Sequence, residues 1–197
     1  LDMVDGICSL EFASTLAMNE LGELLRDAGS AWRIEIVGRS GCLQRRVDEG
    51  VEHLATEELG RGTNAATFLR TSWTALYGRQ PSASIALSNA IKAVEAAAHP
   101  VISPNDDKST LGKMIGAIRD KPSTWRWAPL ETKAGGIELV TRMMETVWSG
   151  QTDRHGGTYD SDADEISFER AQTSLELAIL LIRWFRAGVI QRSPMAR

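Results

Sequence analysis

The sequence predicts a mainly α-helical bundle. Three observations point to it. From residue 63 onward, apolar residues recur at helical i, i+3, i+4 spacing in one segment after another. Only one stretch of the chain alternates apolar and charged residues as a strand does. Gly29, Gly78, Pro81, Pro100 and Gly188 fall at the ends of periodic segments, as punctuation between helices should.

In chain order, residues 9–27 read as a helix with Leu10, Leu16, Ala17, Leu21, Leu24 and Leu25 on roughly one face, stopped by Ala28-Gly29-Ser30. Residues 32–37, from Trp32 to Val37, alternate as a short strand with no evident pairing partner. Leu43, Val47, Val51 and Leu54 fall at helical spacing on a charged second helix. The stretch from Leu59 to Gly62 is a loop, which sets the boundary between an N-terminal helix–strand–helix region, 1–62, and a helical bundle domain, 63–190.

Residues 64–77 carry Ala65, Phe68, Leu69, Trp73 and Leu76, and Gly78 stops the helix. Pro81 marks the start of the next one, 82–99, whose inward positions are Ile85, Ala90, Ile91, Val94, Ala97 and Ala98 and which Pro100 ends. Leu111, Met114, Ile115 and Ile118 define a short helix after the turn at Pro104. Residues 121–130, with Trp125 and Trp127, read as an ordered loop. The helix 132–148 follows with Ile137, Val140, Met143, Met144 and Val147. The last helix, 167–187, starts at Ser167 as N-cap and ends before Gly188. Its centre, Leu177 to Ile182, is apolar all round, as in a helix buried on every side.

Composition narrows the functional classes. The chain has 197 residues, enough for one well-buried domain with an N-terminal extension. A net charge of −4 argues against broad electrostatic adhesion to nucleic acid or a membrane, while leaving room for a local phosphate site. The longest apolar run is far too short to span a bilayer, so no membrane partner is expected. Cys8 and Cys42 form no disulfide framework or zinc spacing, and His53, His99 and His155 are widely separated. A cytoplasmic setting with no metal and no cofactor follows as the expectation. The phosphate-binding G-x-x-x-x-G-K, the dinucleotide G-x-G-x-x-G, the G-x-S-x-G elbow and H-E-x-x-H are all missing from the sequence.

The residue that invites chemistry is His155, in a Gly-flanked stretch between two strongly apolar helices. An imidazole is the side chain best suited to moving protons near neutral pH. Asp153, Asp160, Asp162, Asp164 and Glu165 crowd the same stretch against a single base, Arg154, a field that raises an imidazole pKa and repels a polyanion. Read blandly, His155 caps or packs in a turn. On the helix after Pro81, Lys92 and Glu95 are solvated at helical spacing in the bland reading. In the functional reading, Asn89 lies about one turn before Glu95 on a similar face, making a polar stripe toward the histidine.

Three stretches resemble the C-terminal domain of bacterial abortive-infection proteins, a branch of the HEPN superfamily. They are the helix from Pro81 to His99 with its Ala, Lys and Glu pattern, the signature Asp153-Arg154-His155-Gly156, and the closing helix from Glu169 to Phe185. Trp73, Tyr77-Gly78-Arg79 and Pro104-Asn105 extend the likeness to actinobacterial relatives, so that it covers about residues 70–188. The resemblance implies a HEPN-like helical bundle of phage-defence type that forms a homodimer with the two histidine loops facing each other. It further implies a metal-independent endoribonuclease acting on RNA, with an antitoxin or other defence protein as a further partner. His155 would be the acid–base residue, Arg154 the neighbouring cation, and Glu95 and Asn89 the polar residues lining the site. The family motif is an arginine, four to six intervening residues, then the histidine, whereas Trp148, Ser149 and Gly150 stand at the arginine's place in this chain. The alternative is therefore a catalytically inactive helical dimer that binds RNA or a protein. The dimer face is expected over residues 137–148 and 171–185.

Overall fold

The computed structural model describes residues 15–37, 40–129, 135–149 and 166–193. Among these the chain forms seven α-helices and two small antiparallel sheets, so the mainly α-helical bundle expected from the sequence is present. The elements are α1 (Thr15–Asp27), β1 (Trp32–Val37), β2 (Ser40–Arg45), α2 (Glu49–Leu59), α3 (Asn64–Tyr77), α4 (Ala83–Ile102) and α5 (Leu111–Asp120). A 3-10 turn (Pro122–Thr124), β3 (Trp125–Trp127), α6 (Gly135–Trp148), α7 (Phe168–Arg186) and β4 (Ile190–Arg192) complete the order.

The helices α4 and α7 are central, and each buries side chains in two directions. Leu87, Ile91, Val94 and Ala98 of α4 meet Ala178, Leu181 and Phe185 of α7 in a cluster that also takes in Met114 of α5 and Val140 and Met144 of α6. On the other side, Ala86 and Ala93 of α4 join Leu175, Ile179 and Ile182 of α7 in a second cluster with Leu69, Trp73 and Leu76 of α3 and Ala55 of α2. Two-sided burial accounts for the unbroken apolar centre of α7. The small residues of α4 let α3 approach closely enough for the buried Ser72 hydroxyl to donate to Ala86 O at 2.7 Å.

Helix ends follow their caps. Ser82, Thr110 and Ser167 accept hydrogen bonds from Ile85, Lys113 and Arg170 N–H groups. Past α7, Gly188 takes φ of 67°, the left-handed region, and turns the chain back into β4.

Four sequence expectations need correction. The strand β1 does have a partner: it pairs antiparallel with β2, with Ile34 opposite Leu43 and Val37 opposite Ser40. Leu43 accordingly lies on a strand, and the second helix begins only at Glu49, where Asp48 caps it by accepting from Gly50 N at 2.9 Å. Residues 125–127 are a strand paired with 190–192, drawn into register by the turn after α7 and by Trp127 packing 5.0 Å from Trp184. Pro100 lies inside α4 rather than ending it. It stands in the last turn, where the ring forfeits one backbone bond, and Ser103 N still closes on His99 O at 3.0 Å.

The described part of the first region contacts the bundle. Glu58 of α2 is 1% exposed and holds Arg186 of α7 through three contacts of 2.8–3.2 Å. The apolar side chains of the face expected to meet a second copy, including Ile137, Val140, Met144, Leu175 and Ile182, are buried within the chain's own core. Leu139, at 44% exposure, is the large apolar residue that α6 leaves in solvent among the described residues. None of the helices described is long and apolar enough to cross a membrane.

Candidate functional site

The α4 helix carries the two described residues of the predicted site, Asn89 and Glu95. Six residues of α-helix turn through about 600°, so the two side chains leave the axis roughly 120° apart. They do not form one stripe. Asn89 donates from Nδ2 to Ile85 O of its own helix at 2.9 Å. Between them in direction, Lys92 stands 6.0 Å over the ring of Phe68 on α3.

Glu95 is engaged with α5. Its Oε1 accepts from Leu111 N at 2.7 Å, the first residue of that helix. The first N–H groups of a helix have no partner within it and sit at the positive end of its dipole, so a carboxylate there is doubly favoured. Thr110 takes the Lys113 N–H in the same turn. One turn along α4, the His99 ring nitrogen Nε2 lies 3.0 Å from Asp106 O and secures the loop that leads into α5.

The same α5 terminus receives the end of α6. A methyl group on Gly112 would come 2.7 Å from Cζ2 of Trp148, so the indole rests directly on backbone where a side chain is missing. Trp148 is the last residue of α6, and Ile166, just before α7, packs against both clusters. Arg154 and His155 lie outside the described residues. Glu95 is thus linked, through Leu111 and Gly112, to Trp148, seven positions before His155.

Two arginines in this half of the fold are paired with glutamates. Arg142 contacts Glu138 at 2.6 Å and Arg119 contacts Glu145 at 2.7 Å, along an open groove of about 710 Å³ between α5 and α6. Among the described residues no group of three or more His, Cys, Asp or Glu side chains could hold a metal ion.

No protein family, curated protein or solved structure matches the chain.

Two cavities that the sequence did not reveal lie on the other side of the central helices. One, of about 400 Å³, opens between the β1–β2 hairpin, α2 and α3, with Leu43 and Trp73 in its wall. Its charges are matched: Arg33 pairs with Glu52 and with Glu35, and Arg70 donates to the carbonyls of Leu59 and Arg61. The other, of about 210 Å³, lies where the β2–α2 junction meets the end of α3 and the start of α7. Tyr77 lines it at 3% exposure, edge-on to Trp73 at 4.7 Å and to Phe168 at 6.3 Å. Burial, aided by the negative charge of Glu176, pushes the phenol up to about 12. Both cavities depend on β2, where Leu43 falls in helical step with the residues that follow, so no sequence signal marks them.

Proposed function

We propose that the protein is a HEPN-like helical module of abortive-infection type that acts on RNA through Arg154 and His155, with Glu95 as a positioning residue. The observation that supports this best is the Glu95–Leu111 contact, because it fixes the α5 terminus on which Trp148, the last residue of α6 and seven positions before His155, rests. In this reading His155 takes the proton of a ribose 2′-hydroxyl as that oxygen attacks the adjacent phosphate. Phosphorus–oxygen cleavage then releases the 5′-oxygen, which is reprotonated. Arg154 supplies positive charge to the phosphoryl oxygens as charge develops on them. No metal takes part. Glu95 keeps its helix contact throughout and acts through orientation, and Asn89 has no part in the step.

A second reading, a catalytically silent dimer that binds RNA or a partner such as an antitoxin or other defence protein, draws support from the cations. Arg142 and Arg119 are held by Glu138 and Glu145, and Trp148 stands where the family motif has its arginine. Cleavage of end-labelled mixed RNA in EDTA separates the two. The nuclease reading expects cutting by the wild type and a loss of about hundredfold or more in both His155→Ala and Arg154→Ala. Absence of cutting by the wild type would replace it with the silent module, and light scattering would then test the dimer.

A further inference from the structure

The 210 Å³ pocket at Tyr77 has features that packing does not explain. The Tyr77 hydroxyl is buried and has no hydrogen-bond partner among the described residues. Phenylalanine would fill the same space, meet Trp73 and Phe168 edge-on in the same way, and strand no polar atom. A buried hydroxyl without a partner lowers stability, so its presence calls for another account.

The polar groups around it are divided by charge. From the β2–α2 junction come Arg45 and Arg46. The guanidinium of Arg45 stands 5.5 Å over the Phe168 ring, and Arg46 uses Nε on Ser30 O at 2.9 Å. From α7 come Gln172 and Glu176, joined by a bond from Gln172 Nε2 to Glu176 Oε1 at 3.0 Å. Asp48, also at the rim, accepts through Oδ1 from the N–H groups of Gly50 and Val51. Hydrogen-bonding capacity remains on the two guanidinium groups, on the second oxygens of Glu176 and Asp48 and on the Tyr77 hydroxyl.

We propose that this pocket binds a small zwitterion of the amino-acid class, its carboxylate on the Tyr77 hydroxyl and Arg45 and its ammonium group on Glu176. A carboxylate alone would face Glu176, and an amine alone would face the two arginines. A ligand bearing both charges satisfies each wall, and the hydroxyl gains the acceptor it lacks. The volume is below that of sites for drug-sized molecules, which suits a ligand of a few heavy atoms.

The test is thermal-shift screening of the full chain against each proteinogenic amino acid, followed by calorimetric titration of the best binder, its des-amino analogue and its carboxamide. The expected result is saturable stabilisation by at least one amino acid, with both analogues about tenfold weaker or more. Tyr77→Phe should bind about tenfold more weakly while being no less stable without ligand, and Glu176→Gln should lose preference for the amine. A screen in which no amino acid stabilises the chain would overturn the proposal. So would equal binding by Tyr77→Phe, or a des-amino analogue that binds as tightly as the parent. The outcome is independent of the RNA reading, since neither residue belongs to the α4–α5–α6 site.

Discussion

Replacing Arg186 with methionine should destabilise the protein sharply, and the reason lies in what is left behind. Glu58 is 1% exposed, and its carboxylate accepts from Arg186 Nε at 3.0 and 3.2 Å and from Arg186 Nη2 at 2.8 Å. The same guanidinium reaches Glu57 at 3.1 Å. Its hydrogen bond to Glu58 holds Arg186 still more firmly protonated, and the hydrogen bond from Arg61 lowers the Glu57 carboxyl below its ordinary value. Methionine keeps the aliphatic stem but leaves Glu58 with Arg61 Nε, 3.5 Å away, as its nearest described cation. Removing one partner of a fully buried pair costs about 3–5 kcal/mol. The Arg186 side chain is 36% exposed, so water screens part of that loss, and Arg61 can move to recover more. The expected cost is about 2–3 kcal/mol, or roughly 5–10 °C in midpoint for a domain of this size. Urea unfolding followed by tryptophan fluorescence measures it. The double variant Glu58→Met/Arg186→Met should recover most of the loss, because neither charge is then buried alone. A single-variant cost below about 0.5 kcal/mol, or strict additivity in the double variant, would refute the argument that the buried carboxylate dominates.

Tyr77→Phe, without ligand, should be about 1 kcal/mol more stable than the wild type, since it removes a buried hydroxyl that has no partner among the described residues. It should also remove an alkaline weakness. The folded phenol titrates near 12 against an ordinary 10.0, so above pH 10 the unfolded chain loses its proton first and stability falls as pH rises toward 12. That difference amounts to about 2–3 kcal/mol, and parallel pH–denaturation curves for wild type and variant would expose an error if they kept the same separation throughout. Glu95→Ala should cost about 1 kcal/mol by leaving the Leu111 N–H unpaired, with Glu95→Gln losing less because an amide oxygen still accepts. Equal losses in the two would mean that charge at the helix terminus, rather than the hydrogen bond, carries the contact.

The helices were legible because each had a period and several also had an end signal. Ser167 and Gly188 bracket α7, and Gly78 closes α3. The strand β2 was not legible because its residues, Ser40 to Arg45, include Gly41 and lack a β-branched side chain, while Leu43 falls in helical step with Val47, Val51 and Leu54. Sequence could single out Glu95 as a polar residue on an apolar helix. Its partner is a backbone N–H sixteen positions away, a contact that no side-chain pattern records. The distance between Asn89 and Glu95 around the helix could have been worked out from their spacing alone, and it separates them. The stranded Tyr77 hydroxyl is the opposite case, since an unmet donor becomes visible only when every neighbour has been placed.

The double-sided burial of α4 and α7 makes those helices a party wall between two rooms. Neither room closes without the other's occupants: Ala55 and the Glu58 carboxylate furnish one side, and the α5–α6 pair furnishes the other. A fragment beginning at residue 63 would therefore keep its helices yet leave one face of the wall bare and Arg186 without its carboxylates. Cutting the chain at the loop that looks like a natural seam should lower the stability of the remaining helices, which thermal unfolding of the 63–197 fragment would measure.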